Sequence, residues 1–211
     1  MKPILFNTEM VQAILSGRKT ATRRIVKPQP VFRDGETGTP EPCDDGNWCF
    51  KIDQYHDIYD FDLKPPYQRG DILYVRETWQ PNPYGIGWPF FYKASPEDFD
   101  HAPDKWRPSI HMPKDAARIF LRVTNVRMEK LQFITESDAR KEGVLDPYHY
   151  CSDDKYWETT KRDLLPADIA AFSALWDSTI KSTKCELYGW DANPWVWVFE
   201  YELCKKPIET E

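Results

Sequence analysis

Hydrophobic and polar positions alternate along several stretches of the chain, and this period of two predicts the principal strands. The longest is RIFLRVTNVRMEKL at 118–131, and QRGDILYVRETWQ at 68–80 alternates after a Gly-Asp turn. PWVWVFEYEL at 194–203 supplies a third. Shorter candidate strands are PILF at 3–6, RRIV at 23–26, NWCFKI at 47–52 and PFFYKA at 89–94. The pattern therefore predicts about six strands.

Three other stretches repeat their apolar residues at helical spacing. In NTEMVQAILSG (7–17), Asn7 or Thr8 is a candidate N-cap and Gly17 a stop. TESDARKEG (135–143) is a short helix with a capping box at its start and a glycine at its end. LPADIAAFSALWDSTI (165–180) is the longest. The predicted core-facing residues are Met10, Val11, Ile14 and Leu15 in the first helix and Ile169, Phe172, Leu175, Trp176 and Ile180 in the last.

Strands that outnumber a few separate helices predict an α+β fold or a small barrel, not a doubly wound sheet. No G-x-G-x-x-G or P-loop sequence is present. We predict a single domain over residues 1–211, in which the Pro-, Gly- and acid-rich stretch 28–69 is a long insertion or lid. No apolar run reaches 18 residues and no signal peptide is visible, so we expect a cytoplasmic protein without a membrane partner.

The charge of the chain is unevenly distributed. The formal net charge is -6, yet residues 1–33 carry seven basic residues against Glu9 alone. The rest of the chain is therefore strongly acidic. A duplex-DNA binder usually presents a basic domain, so this distribution favours a local anion or nucleotide site.

The cysteines predict neither disulfides nor a metal site. Five of them, at 43, 49, 151, 185 and 204, are an odd number at irregular spacing, which is typical of reduced thiols. The C-x5-C-x6-H spacing of Cys43, Cys49 and His56 matches no common zinc pattern. We expect no metal and no cofactor.

The stretch SGRKTATRR (16–24) concentrates hydroxyls and cations in an acidic chain. Lys19 could serve as a base for the Thr22 hydroxyl if burial or its cationic neighbours lower its pKa. In a straight strand residues three apart face opposite ways, so the chain would have to turn near 17–20. The alternative is a solvated surface or a phosphate clamp.

Glu142 lies in the last turn of its predicted helix, where the macrodipole disfavours a negative charge. Partial burial there would raise the pKa of its carboxyl, as proton donation to a leaving group requires. Taken alone, the sequence favours an exposed glutamate whose charge is softened by Lys141.

A third group of residues combines aromatic rings with polar side chains. Aromatic faces can stack on nucleobases, and arginine can bind phosphate or carbonyl oxygens. The alternative is that several of these tryptophans are core residues. The group consists of Arg76, Glu77, Trp79, Trp106, Arg107, Ser109, His111, Trp190, Asn193 and Trp195.

Several of these stretches together resemble one family. PILFNTEMVQAILSGRKTATRR, GDILYVRETW, PSIHMP, LRVTNVRMEKLQFITESDARKEGV, LWDS and NPWVWVFEYE are similar to the ASCH (activating-signal-cointegrator homology) domain, in particular to ASCH proteins of phages and bacteria. The resemblance covers nearly the whole chain apart from likely insertions at about 33–66 and 146–165. It implies a PUA-like small mixed β-barrel with peripheral helices.

The resemblance also implies an activity. Some bacterial ASCH proteins are amidohydrolases that remove the acyl group from N4-acetylcytidine without a metal. Their roles fall here on Lys19 as base, Thr22 as nucleophile and Glu142 as proton donor.

The resemblance leaves the substrate contacts and two other functions open. Arg23, Arg76, Trp79 and Ser109 are the expected substrate-binding residues. The first alternative is a non-catalytic module that binds RNA or a modified base. The second is a ribonuclease that uses His111.

Overall fold

The computed structural model of the protein describes residues 1–32, 38–52, 58–82, 89–95, 103–144 and 165–207. Its strands are β1 (Lys2–Leu5), β2 (Ala21–Ile25), β3 (Gly38–Pro42), β4 (Trp48–Ile52), β5 (Ile58–Leu63), β6 (Ile72–Arg76), β7 (Trp79–Pro81), β8 (Phe90–Tyr92), β9 (Phe120–Lys130) and β10 (Trp195–Cys204). Its α-helices are α1 (Thr8–Leu15), α2 (Glu136–Lys141), α3 (Ala167–Thr179) and α4 (Cys185–Tyr188).

The strands form one large sheet and two small ones. The five-stranded sheet has the order β1-β6-β9-β10-β2, in which β1 runs parallel to β6 and the other neighbours are antiparallel. β3, β4 and β5 form a second sheet, and β7 pairs with β8. A mixed sheet with separate helices confirms the α+β class. Within the described residues, the two edge strands β1 and β2 are not paired with each other.

The alternation seen in the sequence separates the two faces of the large sheet. Leu73 and Val75 of β6 and Phe199 of β10 have no exposed surface and lie in the main core. Val196 and Val198 of β10 point to the opposite face, into a second cluster formed with α3. A bulge in β9 opposite residues 200 and 201 of β10 breaks the register once, and such a bulge increases the local bend of a sheet.

The described part of the stretch 28–69 is built into the main core. Trp48 of β4 packs edge-on against Trp197 at 5.5 Å between ring centroids, and Phe50 packs in the same way against Trp195 at 4.9 Å. The strand at 47–52 was predicted, but β3 and β5 were not. Residues 146–164, nearly all of the second predicted insertion, lie outside the described residues.

The helix caps match the predictions. The side chain of Asn7 accepts a hydrogen bond from the backbone N–H of Met10 at 2.8 Å, which caps α1. Thr135 caps α2 in the same manner. The predicted apolar face of α1 is wrong at its end, because Leu15 is 43% exposed while Ala13 is buried.

The apolar face of α3 follows the sequence pattern. Phe172 and Trp176 of α3 are buried, as predicted. Among the helices that the structure describes, none has both the length and the apolar character needed to cross a bilayer.

Candidate active site

After α1 the chain reverses direction and runs back along the last turn of that helix. Gly17, which ends the helix as predicted, has a φ of +75°, in the left-handed region that glycine tolerates. The Lys19 N–H then donates to the Ala13 carbonyl at 2.9 Å. The next N–H, that of Thr20, donates to the Lys141 carbonyl at 2.8 Å, and Lys19 and Glu142 form an antiparallel bridge. This turn brings together two segments that are far apart in the sequence.

The side chain of Lys19 is fully buried. Its Nζ atom donates to Glu142 Oε2 at 2.7 Å and to the Glu142 carbonyl at 2.8 Å. It also lies 5.7 Å from the centroid of the Phe6 ring. Burial lowers the pKa of Lys19, the carboxylate of Glu142 acts in the opposite direction, and the charges of Arg24 and Arg23 lower it further. The pKa direction therefore agrees with the one predicted from the cationic neighbours.

Glu142 is buried, and the prediction of an exposed glutamate is wrong. It is the C-cap of α2, and only 4% of its surface is exposed. Lys141, its expected partner, contacts Asp138 and Glu200 instead. Both carboxylate oxygens of Glu142 are occupied, because Oε2 bonds to Lys19 and Oε1 accepts a hydrogen bond from Arg23 Nη1 at 3.2 Å.

Arg23 holds the other side of this carboxylate. Its side chain has no exposed surface, and its Nη2 atom pairs with Glu129 at 2.6 Å and lies 3.6 Å from Asp138. Arg127 binds the same two acids and extends the network to Glu200. A carboxylate with two cationic donors and buried surroundings is fixed in one orientation. In the structure Arg23 therefore orients Glu142, and its role in binding substrate stays a prediction.

Thr22 is buried on β2, directly opposite Phe199. Because strand side chains alternate, Thr22 and Arg24 share one face of the sheet while Arg23 takes the other. Ring contacts agree, since Arg24 and Lys19 both contact Phe6. Within the described part of the chain, the Thr22 hydroxyl forms no hydrogen bond with Lys19 or Glu142. The structure thus joins Lys19 and Glu142 directly, and it places Thr22 on the face of β2 that also carries Arg24.

The other predicted substrate-binding residues, Arg76, Trp79 and Ser109, lie in and around the loop 106–112. Arg76 donates through Nε to the Met112 carbonyl at 2.9 Å and through Nη2 to the Ile110 carbonyl. Trp79 is 4% exposed, packs in a third core cluster with Met112, and forms a two-way backbone bridge with Arg107. Ser109 begins a short 3-10 helix. These contacts hold the loop 106–112, and among the described residues none of them reaches the Lys19–Glu142 pair.

A second ion pair joins the buried carboxylate of Glu77 to the half-buried guanidinium of Arg118. Arg118 binds Glu77 through two hydrogen bonds, at 2.9 and 3.1 Å, and donates a third to Ser95 at 3.0 Å. Burial raises the pKa of Glu77, although Arg118 partly offsets this effect. Glu77 had been noted in the sequence only as part of the RETW stretch, and Arg118 not at all.

The sequence did not single out Tyr67 or Tyr201, and it gave Arg24 no role beyond that of a cationic neighbour of Lys19. Arg24 and Tyr201 flank the face on which Thr22 lies, and Tyr67 packs on Phe199 at 5.1 Å between ring centroids. Burial and the negative charge of Glu142 raise the pKa of Tyr201 well above its usual value. The alternation of β2, counted two residues on from Thr22, would have indicated Arg24.

Neither a metal site nor a similar known protein assigns a further role to any residue of the described chain. Across the described ranges, no group of three or more His, Cys, Asp or Glu side chains is arranged to hold a metal ion. Within the described ranges Cys43 and Cys49 form no disulfide bond, and His56 lies outside the described residues. Comparison with protein-family models, with curated proteins and with solved structures found no match for this chain.

Proposed function

We propose that this chain is an amidohydrolase that removes the acyl group from N4-acylated cytosine nucleosides, with Thr22 as nucleophile, Lys19 as base and Glu142 as proton donor. The proposal rests on the full burial of Lys19, whose Nζ atom lies 2.7 Å from the carboxylate of Glu142, which is also buried. A lysine is useful as a base only when its ammonium form is disfavoured, and burial has that effect.

The Lys19–Glu142 pair can carry out both proton transfers that this reaction requires. In its neutral form, the pair holds one proton on Glu142 and none on Lys19. Thr22 Oγ1 bonds to the amide carbon, and its proton moves to Lys19 Nζ. When the C–N4 bond breaks, Glu142 gives its proton to N4 of the leaving cytidine. The proton now on Lys19 can return to Glu142 through their hydrogen bond.

The second half of the reaction regenerates the enzyme. Water attacks the acyl-threonine ester and loses a proton to Lys19, and the Thr22 oxygen leaves and is reprotonated. The products are cytidine and a carboxylic acid. Cytosine is a good leaving group because its ring delocalises the charge on N4, so this step needs no metal or other cofactor.

We also propose the PUA-like barrel architecture for the large sheet. Arg24 Nη2, on one edge strand, donates to the carbonyl of Leu5, on the other edge strand, at 3.0 Å. The two edges are thus only one side chain apart, which supports a strongly curled sheet.

The burial of two cations bears on the RNA-binding alternative. Lys19 and Arg23 have fully buried side chains and are ion-paired. Phosphate recognition requires cations that reach the nucleic-acid backbone. Two of the four cations in residues 16–24 are therefore not available to bind phosphate. For this reason we rank the RNA-binding module below the hydrolase.

The test is hydrolysis of N4-acetylcytidine by the purified chain in the presence of a metal chelator, with cytidine followed by chromatography. We expect turnover that is lost in Thr22→Val and Lys19→Ala. Thr20→Val is the matched control, because it removes an exposed hydroxyl two residues away, and it should keep full activity. Full activity in folded Thr22→Val would refute the nucleophile. No turnover by the unaltered chain, with salt-sensitive binding to single-stranded RNA, would favour the RNA-binding module.

A further inference from the structure

Arg23 lies between two carboxylates, and Glu142 is only one of them. The Nη1 atom of Arg23 donates to Glu142 Oε1 at 3.2 Å, and its Nη2 atom donates to Glu129 Oε1 at 2.6 Å. The side chain of Arg23 has no exposed surface, and that of Glu129 is only 16% exposed. The shorter of the two hydrogen bonds therefore runs to Glu129, an acid that the proposed reaction does not use.

The second oxygen of Glu129 joins it to a wider group of charges. Arg127 Nε donates to Glu129 Oε2 at 3.0 Å, and Arg127 also binds Asp138 and Glu200. Lys141 contacts the same two acids. With the Lys19–Glu142 pair, the group contains four cations and four carboxylates, so its formal charges cancel. Its members are Lys19, Arg23, Arg127 and Lys141 together with Glu129, Asp138, Glu142 and Glu200.

Other elements pack against this group without replacing Glu129. Helix α3 presents the ring of Phe172, whose centroid lies 5.6 Å from Arg23 Cζ, and its Asp168 pairs with Arg140 on the outside of α2. The other ionisable groups around the Lys19–Glu142 pair are Arg18, Arg24, Asp138 and Tyr201. Of these, only Asp138 is an acid near Arg23, at 3.6 Å. In the described part of the chain, Glu129 is thus the carboxylate that balances Arg23 at hydrogen-bond distance.

This balance matters because an unpaired guanidinium beside Glu142 would oppose the proposed proton donation. A nearby cation favours the ionised form of a carboxyl group, whereas the proposed reaction begins with a proton on Glu142 and none on Lys19. Glu129 places a negative charge on the other side of the same guanidinium. Arg23 can therefore hold Glu142 in one orientation while its effect on the ionisation of Glu142 is largely offset.

From this geometry we infer that Glu129 is a positioning residue of the proposed hydrolase, which keeps the shared proton available to Glu142 by balancing the charge of Arg23. The inference rests on the proposed function. In this scheme Glu129 contacts neither the substrate nor the reacting atoms, and it gains and loses no proton during turnover.

The first measurement is the pH dependence of kcat/KM on N4-acetylcytidine, whose two limbs report the titration of the free Lys19–Glu142 pair. Glu129→Gln keeps the shape of the side chain and removes a negative charge, so both groups of the pair should lose their protons more readily. We expect both limbs to move to lower pH by about one to two units, the effect of one charge acting across a guanidinium inside a protein. Glu129→Asp keeps the charge and should recover most of the shift.

Glu202→Gln is the matched control. Glu202 is an exposed strand glutamate whose carboxylate lies 3.8 Å from Arg122, so its replacement should leave both limbs in place.

The second measurement uses the sign of the effect to separate charge balance from a structural defect. Arg23→Met removes the cation and leaves Glu129 bound to Arg127, so both limbs should move to higher pH. Adding Glu129→Gln to this variant should return the limbs towards their positions in the unaltered chain. A loss of packing would not produce opposite shifts that cancel in the double variant.

The possible results distinguish the inference from the proposed function. Limbs that stay in place in Glu129→Gln would overturn the inference while the hydrolase stands. If Glu129→Gln does not fold, the comparison of Arg23→Met with the double variant decides, and coincident limbs in those two would overturn the inference. No turnover by the unaltered chain would overturn the hydrolase and the inference together.

Discussion

The substitution Glu142→Gln tests how the charge state of the buried Lys19 affects the stability of the fold. The substitution keeps the shape of the side chain and removes its charge. Arg23 retains its 2.6 Å pair with Glu129, but Lys19 Nζ loses the only carboxylate that contacts it in the described part of the chain. Because burial already lowers the pKa of Lys19, the variant lysine should be neutral in the folded state and charged in the unfolded state.

The free energy involved has an upper limit. The lysine can always escape an unfavourable charge by losing its proton, which costs about 1.4 kcal/mol for each pH unit below a reference pKa of about 10.4. At pH 7 the loss of stability from this source is therefore at most about 5 kcal/mol. The folded variant binds one proton fewer than the unfolded variant, so its stability should rise with pH and the deficit should vanish above about pH 10.4.

Urea unfolding at pH 7, 8 and 9 measures this dependence. Between those values, Glu142→Gln should regain up to about 1.4 kcal/mol per pH unit relative to Lys19→Met/Glu142→Gln, which lacks the titrating group. In the unaltered chain the carboxylate of Glu142 counteracts the effect of burial on the pKa of Lys19, so the slope should be smaller. A deficit that does not change with pH would refute the burial of a neutral lysine.

Two further substitutions test the packing around Lys19 and the ion pair between Glu77 and Arg118. Gly143→Ala would place a Cβ 2.8 Å from the Cβ of Lys19 at a φ of +84°, so we expect about 3 kcal/mol of destabilisation and loss of hydrolysis. Gly70→Ala is the control, because Gly70 has a similar φ and open space around the added carbon, and it should lower the free energy of unfolding by only about 1 kcal/mol. Equal losses of stability in urea unfolding would show that the contact with Lys19 does not matter. Glu77→Gln breaks the buried pair with Arg118 and should cost about 3 kcal/mol, and an unchanged urea midpoint would contradict that value.

Local patterns predicted the elements of the fold well. The alternation of β6, β9 and β10 and the caps at Asn7 and Thr135 depend on residues close together in the sequence, and all were confirmed. β3 was not predicted, because its sequence contains two prolines and a glycine, which are unfavourable in most strands. Its pairing with β4 is a tertiary effect that the segment alone does not contain.

The candidate site was only partly predictable for a similar reason. The turn that Lys19 requires follows from Gly17, a local signal. The burial of Glu142 does not, because its partners Lys19 and Arg23 lie more than 100 residues earlier in the chain. Local reasoning offered only Lys141, which in the structure faces other acids.

The strand order also sets when the site can form during synthesis. β2 carries Thr22, and in the described sheet its single neighbour is β10. About 170 residues separate the end of β2 from the start of β10, and at typical elongation rates their synthesis takes roughly 10–35 seconds. Until β10 has left the ribosome, β2 has no strand to pair with, and Lys19 cannot yet lie in its completed core. For the proposed hydrolase we therefore expect that a chain lacking β10 has no activity on N4-acetylcytidine.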